Sequence, residues 1–397
     1  MFKKRGVPTN YAGFFAKQRL WIAVCTLIGT IIGAGILGMP YAIAKVGLLP
    51  GLFLIILIGV SFIFLNLFLG EVILRTKGQH QLTGYAEKYL GPWGKKLMTF
   101  SMLVSIYGAL SAYLIGIGTA LQAIFKTSSA IPFIILFFLF GFLIVYRGIK
   151  ATGKAELLLV SFLIVVIIAI GWLSLDNLNP ANFSGYDLAK FLLPYGVVVF
   201  AFVGSAALPE IQEELGKEKK KMKKAIIIGS VIPIVVYILF TIVMMGLIGI
   251  EQFELLEPNQ RIATVALSIY STPLFGLFAN ILAVLTMTTS FFALGLALLE
   301  MYQFDYGVSR NPALLLTFIF PLLVAVFKLT TFIAILGITG VFSGGLDGIL
   351  VVLMYWKAKL LGERKPEYSL PLLRPVGIFL IVMFALGILY QLLALVT

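Results

Sequence analysis

The stretch GTIIGAGILGMPYA (29–42) sets four glycines and a proline within one apolar run. Glycine and proline both weaken a helix. Inside a membrane an interrupted helix is tolerated only where it lines a cavity, and there its freed N–H and C=O groups act as ligands for a polar solute. Gly29, Gly33 and Ala34 would also serve close helix packing. Gly33, Ala34 and Gly35 are consecutive, however, which fits an unwound turn better than a one-sided stripe. A second interrupted run, FAFVGSAALPE (200–210), carries Gly204, Ser205 and Pro209. The segment TMTTS (286–290) puts Thr286, Thr289 and Ser290 at i, i+3 and i+4, on one helical face. Such hydroxyls either supply hard oxygen ligands to sodium or bond the carbonyls of their own helix. Asp347, in FSGGLDGIL, is the one carboxylate well inside an apolar run. An intramembrane ionisable group is a functional candidate, here a proton carrier, although hydration from the basic end at Lys357 would account for it equally. Glu210, Glu213 and Glu214 follow the second interruption and form either a gate with Lys17 or Arg19 or a solvated cluster.

Composition defines the elements that must position these groups. Of 397 residues, 60% are hydrophobic and 12% charged, and the mean hydropathy is +1.06. A soluble domain carries about 25% charged residues, so the chain reads as a polytopic membrane protein. Its net charge of +13 lies in short blocks between apolar runs, the pattern of juxtamembrane charge and not of a nucleic-acid surface. One cysteine, Cys25, and one histidine, His80, exclude an internal disulfide, a cysteine-cluster zinc site and a histidine triad. There is no phosphate-binding loop and there are no paired metal ligands, so no enzyme is expected and no cofactor beyond a coupling ion. The basic N-terminus leads into an apolar run too long for a signal peptide, which predicts a retained span.

With about 20 residues needed per crossing, eleven runs qualify: 20–44, 47–74, 97–125, 130–147, 154–175, 190–208, 224–250, 273–301, 311–328, 330–357 and 372–396. Of the 30 Lys and Arg residues, 25 fall on the side of the N-terminus if these runs alternate. The excess places the N-terminus in the cytoplasm and the C-terminus outside. The most basic loop, LGKEKKKMKK (215–224), reads as a topology anchor and as a surface for anionic lipid. The interrupted runs are the first and sixth, five apart, as two inverted five-helix repeats require. The expected organisation is a cytoplasmic segment 1–19, repeat one over 20–175, repeat two over 190–357 and an additional helix over 372–397.

These residues carry a family resemblance. GTIIGAGILGMPYA resembles the first-helix signature of the amino acid/auxin permeases, within the amino acid–polyamine–organocation superfamily, and FAFVGSAALPEIQEEL (200–215) resembles their sixth helix. YGALSAYLIGIGTAL (107–121) and RGIKATGKAELLLVSF (147–162) support the likeness, which covers roughly residues 18–360. It implies the leucine-transporter fold, an all-α polytopic architecture with broken helices one and six, and ion-coupled uptake of amino acids at the cell membrane.

Resemblance and backbone physics together select a site. Half-helix N-termini direct N–H groups and partial positive charge at an anion, so the amides of Gly33, Ala34 and Gly35 are expected to hold a substrate carboxylate. The carbonyls of Ile31 and Phe202 are candidates for its ammonium group. Tyr107 is expected at the pocket and Tyr113, six residues on, elsewhere. Val203, Gly204 and Ser205 would set side-chain selectivity, and an acidic residue that some relatives carry at the position of Val203 is absent, which favours a neutral substrate. In this fold a sodium site lies between helices one and eight. The matching groups are the carbonyls of Gly29, Ile32 and Thr286 with the hydroxyls of Thr289 and Ser290. Some proton-coupled relatives place a lysine mid-way along helix five, whereas Leu157 to Trp172 holds no ionisable side chain; the coupling ion is sodium or a proton. The expectation is a monomeric symporter importing neutral amino acids by alternating access. A metal-ion carrier on the same fold would need carboxylates or a methionine at the breaks. A membrane amino acid sensor would be marked by a long regulatory tail or soluble domain.

Overall fold

Backbone groups immersed in hydrocarbon must be satisfied within their own segment, which leaves helices as the form these apolar runs can take. The computed structural model describes residues 19–78, 80–147 and 153–396, and all of its regular structure is helical. The expected N-terminal segment and Lys17 lie outside the described residues, apart from Arg19.

The first span is broken: α1 (Arg19–Ile31) and α2 (Gly35–Ala44) meet at a 50° bend. There follow α3 (Leu48–Arg75), α4 (Leu82–Phe125), α5 (Ile131–Tyr146) and α6 (Gly153–Leu173). The second break separates α7 (Tyr195–Phe202) from α8 (Leu208–Leu215). Then come α9 (Met222–Leu255), α10 (Ala263–Tyr270), α11 (Pro273–Glu300) and α12 (Arg310–Val326). The helices α13 (Phe332–Thr339) and α14 (Gly345–Leu361) are joined through a π-helical turn over Gly340–Gly344, and α15 (Arg374–Val396) ends the chain's described part. Among the described residues, six helical stretches are long and apolar enough to cross a membrane, and the bent α1–α2 pair makes a seventh; α5, α12 and residues 160–172 of α6 are shorter apolar helices.

Element ends differ from those expected. α4 begins fifteen residues earlier than hydropathy places it, because a helical segment 82–90 precedes a kink at Gly91 (φ 74°) that only glycine adopts readily. α9 likewise runs past Gly249 (φ 73°) to Leu255. Residues 263–270, expected as loop, form α10.

Contacts between connecting segments sort the molecule into two ends. At one end Lys77, Lys88 and Arg75 meet the segment after α14: the Lys77 amide donates to Glu363 at 2.8 Å, Lys88 pairs with Glu363 at 2.6 Å, and the Glu363 amide donates to the Arg75 carbonyl at 2.9 Å. The basic loop 216–221 belongs to this end, here termed the basic end. Glu71 on α3 is fully buried there and is held by Arg75 at 2.8 Å, Lys359 at 2.6 Å, the Ser369 hydroxyl at 3.0 Å and the Leu370 amide at 2.7 Å. At the opposite end, the cap end, Asp187 N donates to Val46 O at 3.1 Å and Phe332 N to Asn259 Oδ1 at 3.3 Å. Arg261 reaches the Tyr41 hydroxyl at 2.9 Å while its guanidinium lies over the Tyr41 ring, and Phe253 meets that ring edge-on. The loop before α10 is thereby fixed over the end of α2.

Candidate functional site

The hydrogen bonds of α1 show where its helix fails. The Ile32 amide still reaches Ile28 O at 2.7 Å, but the Gly33 amide turns back on Ile31 O at 3.0 Å, and the ladder resumes with Leu37 N to Ala34 O at 3.1 Å. Of the three amides expected at a carboxylate, that of Gly33 is therefore engaged inside the break. Those of Ala34 and Gly35 precede that bond, at the helix start where N–H groups have no intrahelical partner. In the second break Val203 is extended (ψ 116°), Gly204 has φ −141°, and a 3₁₀ turn over Ser205–Ala207 leads into α8.

The two breaks are in direct contact. A Cβ on Gly35 would sit 2.4 Å from the Ala201 Cα and 2.6 Å from its Cβ, so α2 lies against the backbone of α7. Tyr237, fully buried on α9, joins them: its hydroxyl is 2.9 Å from Ile31 O and 2.7 Å from Ala201 O. One hydroxyl carries one proton, so Tyr237 donates to one carbonyl at a time. These are the terminal carbonyls of two half-helices, where partial negative charge gathers.

On the other side of Gly33 stands Tyr113 of α4. A Cβ on Gly33 would meet the Tyr113 hydroxyl at 2.8 Å and Ser290 Oγ at 3.2 Å. Tyr113, not Tyr107, is thus the α4 tyrosine at the break, reversing the expectation. Tyr107 points away, with its hydroxyl 2.6 Å from Tyr302 Oη and donating to Leu316 O at 2.8 Å. The six-residue spacing does put the two on different faces, but α4 is apolar all round and offers no contrast to say which face is inward.

A cavity opens at and below the breaks. Its walls are Thr30, Ile31 and Gly33 of the first break, Phe200 and Val203 to Ala206 around the second, Met102, Ser105, Ile106, Ala109 and Tyr113 of α4, Leu82, Leu294, and Asp347 of α14. Of the residues expected at the substrate, Ile31, Gly33, Gly204 and Ser205 line this cavity. Ala34, Gly35 and Phe202 are not among the lining residues. Gly35 is spent on contact with α7, and the Phe202 ring packs against Phe62 and Tyr237, at 6.3 and 5.1 Å between centroids. At the end of α7 it is the Ala201 carbonyl that receives the Tyr237 hydroxyl. Tyr41 and Arg261 of the cap end do not line the cavity, which lies towards the basic end.

The candidate ion residues fall where α1 faces α11. Ser290 Oγ lies 3.3 Å from Gly29 O and 3.2 Å from Thr286 O. Thr289 bonds back to its own helix, to Thr286 O at 2.9 Å, and the Thr286 hydroxyl does the same to Ala283 O at 3.1 Å. Gly29, Thr286 and Ser290 therefore converge across the helix pair. Ile32, buried beside them, gives its amide to the end of α1. Asp347 is buried, with its Oδ1 unpartnered among the described residues. At the basic end α8 docks on α1 through Thr26 Oγ1 to Glu214 Oε1 at 3.0 Å and Arg19 Nη1 to Leu215 O at 3.4 Å.

Tyr113, Tyr237 and the Arg261–Tyr41 cap were not found by sequence reasoning. For Tyr237 the available signal is a single hydroxyl in the run VIPIVVYILF (231–240).

Comparison with known proteins places this arrangement. The structure of MhsT in complex with L-phenylalanine superposes with a TM-score of 0.71, covering 96% of this chain and 98% of that one at 16% identity. The chain therefore has the leucine-transporter fold, with its two inverted five-helix repeats and an added helix. The tyrosine-specific transport system 1 of Haemophilus influenzae is 27% identical over 91% of this chain and 92% of its own length. Glutamine transporter 2 of Aliivibrio fischeri is 25% identical over 81% of this chain and 85% of its own length. The chain is accordingly a multi-pass membrane permease for amino acids and not an enzyme. The family is a different one from the amino acid/auxin permeases that the first-helix motif resembles, although both are amino acid transporters on one type of fold. The sequence model of the tryptophan/tyrosine permease family matches residues 16–394, almost the whole length, and the chain belongs to that family.

Proposed function

We propose that the protein is a cell-membrane symporter that imports neutral amino acids with an aromatic side chain, tyrosine or tryptophan first among them. The observation that carries this is the single cavity shared by both helix breaks. It offers backbone donors and acceptors to a zwitterion, while Ile106, Ala109, Phe200 and Val203 offer an apolar wall to a ring. Family membership supports the same substrates. The substrate carboxylate sits at Gly33 in the first break, beside the Tyr113 hydroxyl. Its ammonium takes Ile31 O, the carbonyl at the end of α1 whose residue lines the cavity.

Sodium is the coupling ion in this reading. Gly29 O, Thr286 and Ser290 Oγ form its seat between α1 and α11, with Ile32 and Thr289 adjoining. Sodium there would draw α1 onto α11 and fix the break for substrate, so that each ligand raises the affinity of the other. A second reading, coupling to a proton at Asp347, is favoured by the position of that carboxylate in the cavity wall. The basic end is cytoplasmic, the C-terminus is external, the working unit is a monomer, and the apolar outer faces contact lipid.

The test is uptake of radiolabelled L-tyrosine, L-tryptophan, L-glutamine and L-leucine into proteoliposomes, with sodium or choline outside. Sodium-dependent accumulation of the aromatic pair is expected. Equal uptake in choline that follows an imposed pH gradient would overturn sodium in favour of Asp347. Preference for glutamine or leucine would overturn the aromatic assignment.

A further inference from the structure

The lining of the cavity continues well below the breaks. Its wall on α4 extends from Tyr113 down to Met102, about 16 Å at a rise of ~1.5 Å per residue. With covalent bonds of about 1.5 Å, one aromatic amino acid covers little more than half of that. The upper part, at Gly33, Gly204 and Ser205, is the site described above. Among the described residues, the lower part holds one ionisable side chain, Asp347, and no lysine or arginine lines the cavity.

The environment of Asp347 is short of donors. The residue is 6% exposed, and its Oδ1 has no hydrogen-bond partner among the described residues. The Ser101 hydroxyl is within hydrogen-bond reach of the carboxylate, but its one proton is shared with Ser343 O at 3.0 Å. Ser343 belongs to the π-helical turn that precedes α14. Such turns insert an extra residue into a helix and re-aim the side chains that follow, and they recur at functional sites. Here the turn is tied to α4 by Ser101, and Asp347 follows one helical turn later. Burying a carboxylate without donors is costly, and the cost is relieved either by a proton on the carboxylate or by a cation that enters the cavity.

We propose that Asp347 is the anion of an inner subsite that receives the α-ammonium group of the amino acid once it leaves the breaks. The inference rests on the reading of this cavity as the substrate path. A primary ammonium carries three N–H donors, which suits an oxygen that lacks them. The same carboxylate repels the substrate's own carboxylate, so the zwitterion travels from the breaks with its ammonium leading. The two subsites therefore differ in what they demand. The upper one needs a carboxylate for its amides, whereas the lower one needs an ammonium alone.

The experiment uses the full-length protein in lipid nanodiscs, with L-tyrosine and tyramine as ligands, tyramine being tyrosine without its carboxylate. Tyramine is expected to bind the unmutated protein. Asp347→Asn should weaken tyramine at least about tenfold, the loss of one charge-assisted contact, and weaken L-tyrosine markedly less. Asp347→Glu should restore most of the tyramine affinity. Undiminished tyramine binding by Asp347→Asn, or equal losses for both ligands in a variant of unchanged melting temperature, would overturn the subsite. So would an unmutated protein that binds L-tyrosine but not tyramine, a result that stands even if the variants fail to fold. An unmutated protein that binds neither L-tyrosine nor any other amino acid would instead overturn the proposed function itself.

Discussion

Tyr237→Phe is the most discriminating single change. It removes one oxygen and leaves the ring, which is in edge contact with Phe202, in place. Two buried carbonyls share the lost proton, at 2.9 and 2.7 Å. Ile31 O keeps the Gly33 amide at 3.0 Å, so the larger loss falls on Ala201 O. Leaving one buried acceptor short of a donor costs about 1–3 kcal/mol. Both carbonyls terminate half-helices at the breaks, so the cost falls on the arrangement that holds the breaks together for substrate. If that arrangement is the binding-competent one, its population falls by the same free energy. The apparent Kd then rises roughly 5- to 150-fold. Equilibrium binding of the transported amino acid in nanodiscs, with a melting curve for each protein, measures both quantities. A variant with a lowered melting temperature but a Kd within twofold of the original would refute the reasoning, because the hydroxyl would then stabilise the fold without holding the site.

Gly35→Ala tests the contact between the breaks: its Cβ would fall 2.4 Å from a backbone atom of α7, and overpacking of this kind costs about 1–3 kcal/mol. A lowered melting temperature is expected, and unchanged stability would contradict the close approach. The double change Thr289→Ala with Ser290→Ala should raise the sodium concentration for half-maximal uptake more than it lowers maximal uptake; an unaltered sodium dependence would remove these hydroxyls from the ion site. Single cysteines at Lys221 and Asn182, in a Cys25→Ser background, should label from opposite sides of the membrane, Asn182 from outside. Labelling of both from the same side would defeat the proposed orientation.

The parts of the site legible in the sequence were those with an internal pattern. Gly33-Ala34-Gly35 and Gly204-Ser205 announce broken helices because glycine clusters are unfavourable in a span unless the break is used. Thr286, Thr289 and Ser290 were legible as one face because α11 carries hydroxyls there against an apolar background, and Ser290 does meet Gly29 across the helix pair. Tyr107 and Tyr113 could not be ranked: α4 is buried on several sides, and hydrophobicity does not vary around it. Tyr237 was illegible for another reason. Its role depends on two carbonyls, 206 and 36 residues away, and no local spacing encodes such a meeting. Gly35 reads as a substrate contact because it sits in the break, yet what it accommodates is the backbone of α7. A glycine signals close approach without saying by what.

The Glu71 cluster bears on how the molecule is made. The Leu370 amide that caps this carboxylate lies 299 residues further along the chain, and Lys359 is almost as distant. Through most of synthesis neither exists, while α3 is already in the membrane. Arg75, at i+4 on the same helix, is available from the moment α3 coils, and i, i+4 pairs need no other element to form. Glu71 thus enters the bilayer with an escort from its own helix and exchanges sole dependence on it for shared bonding when the last loop arrives. Arg75 is needed earliest, during biogenesis, and Lys359 latest, as the closing staple of assembly.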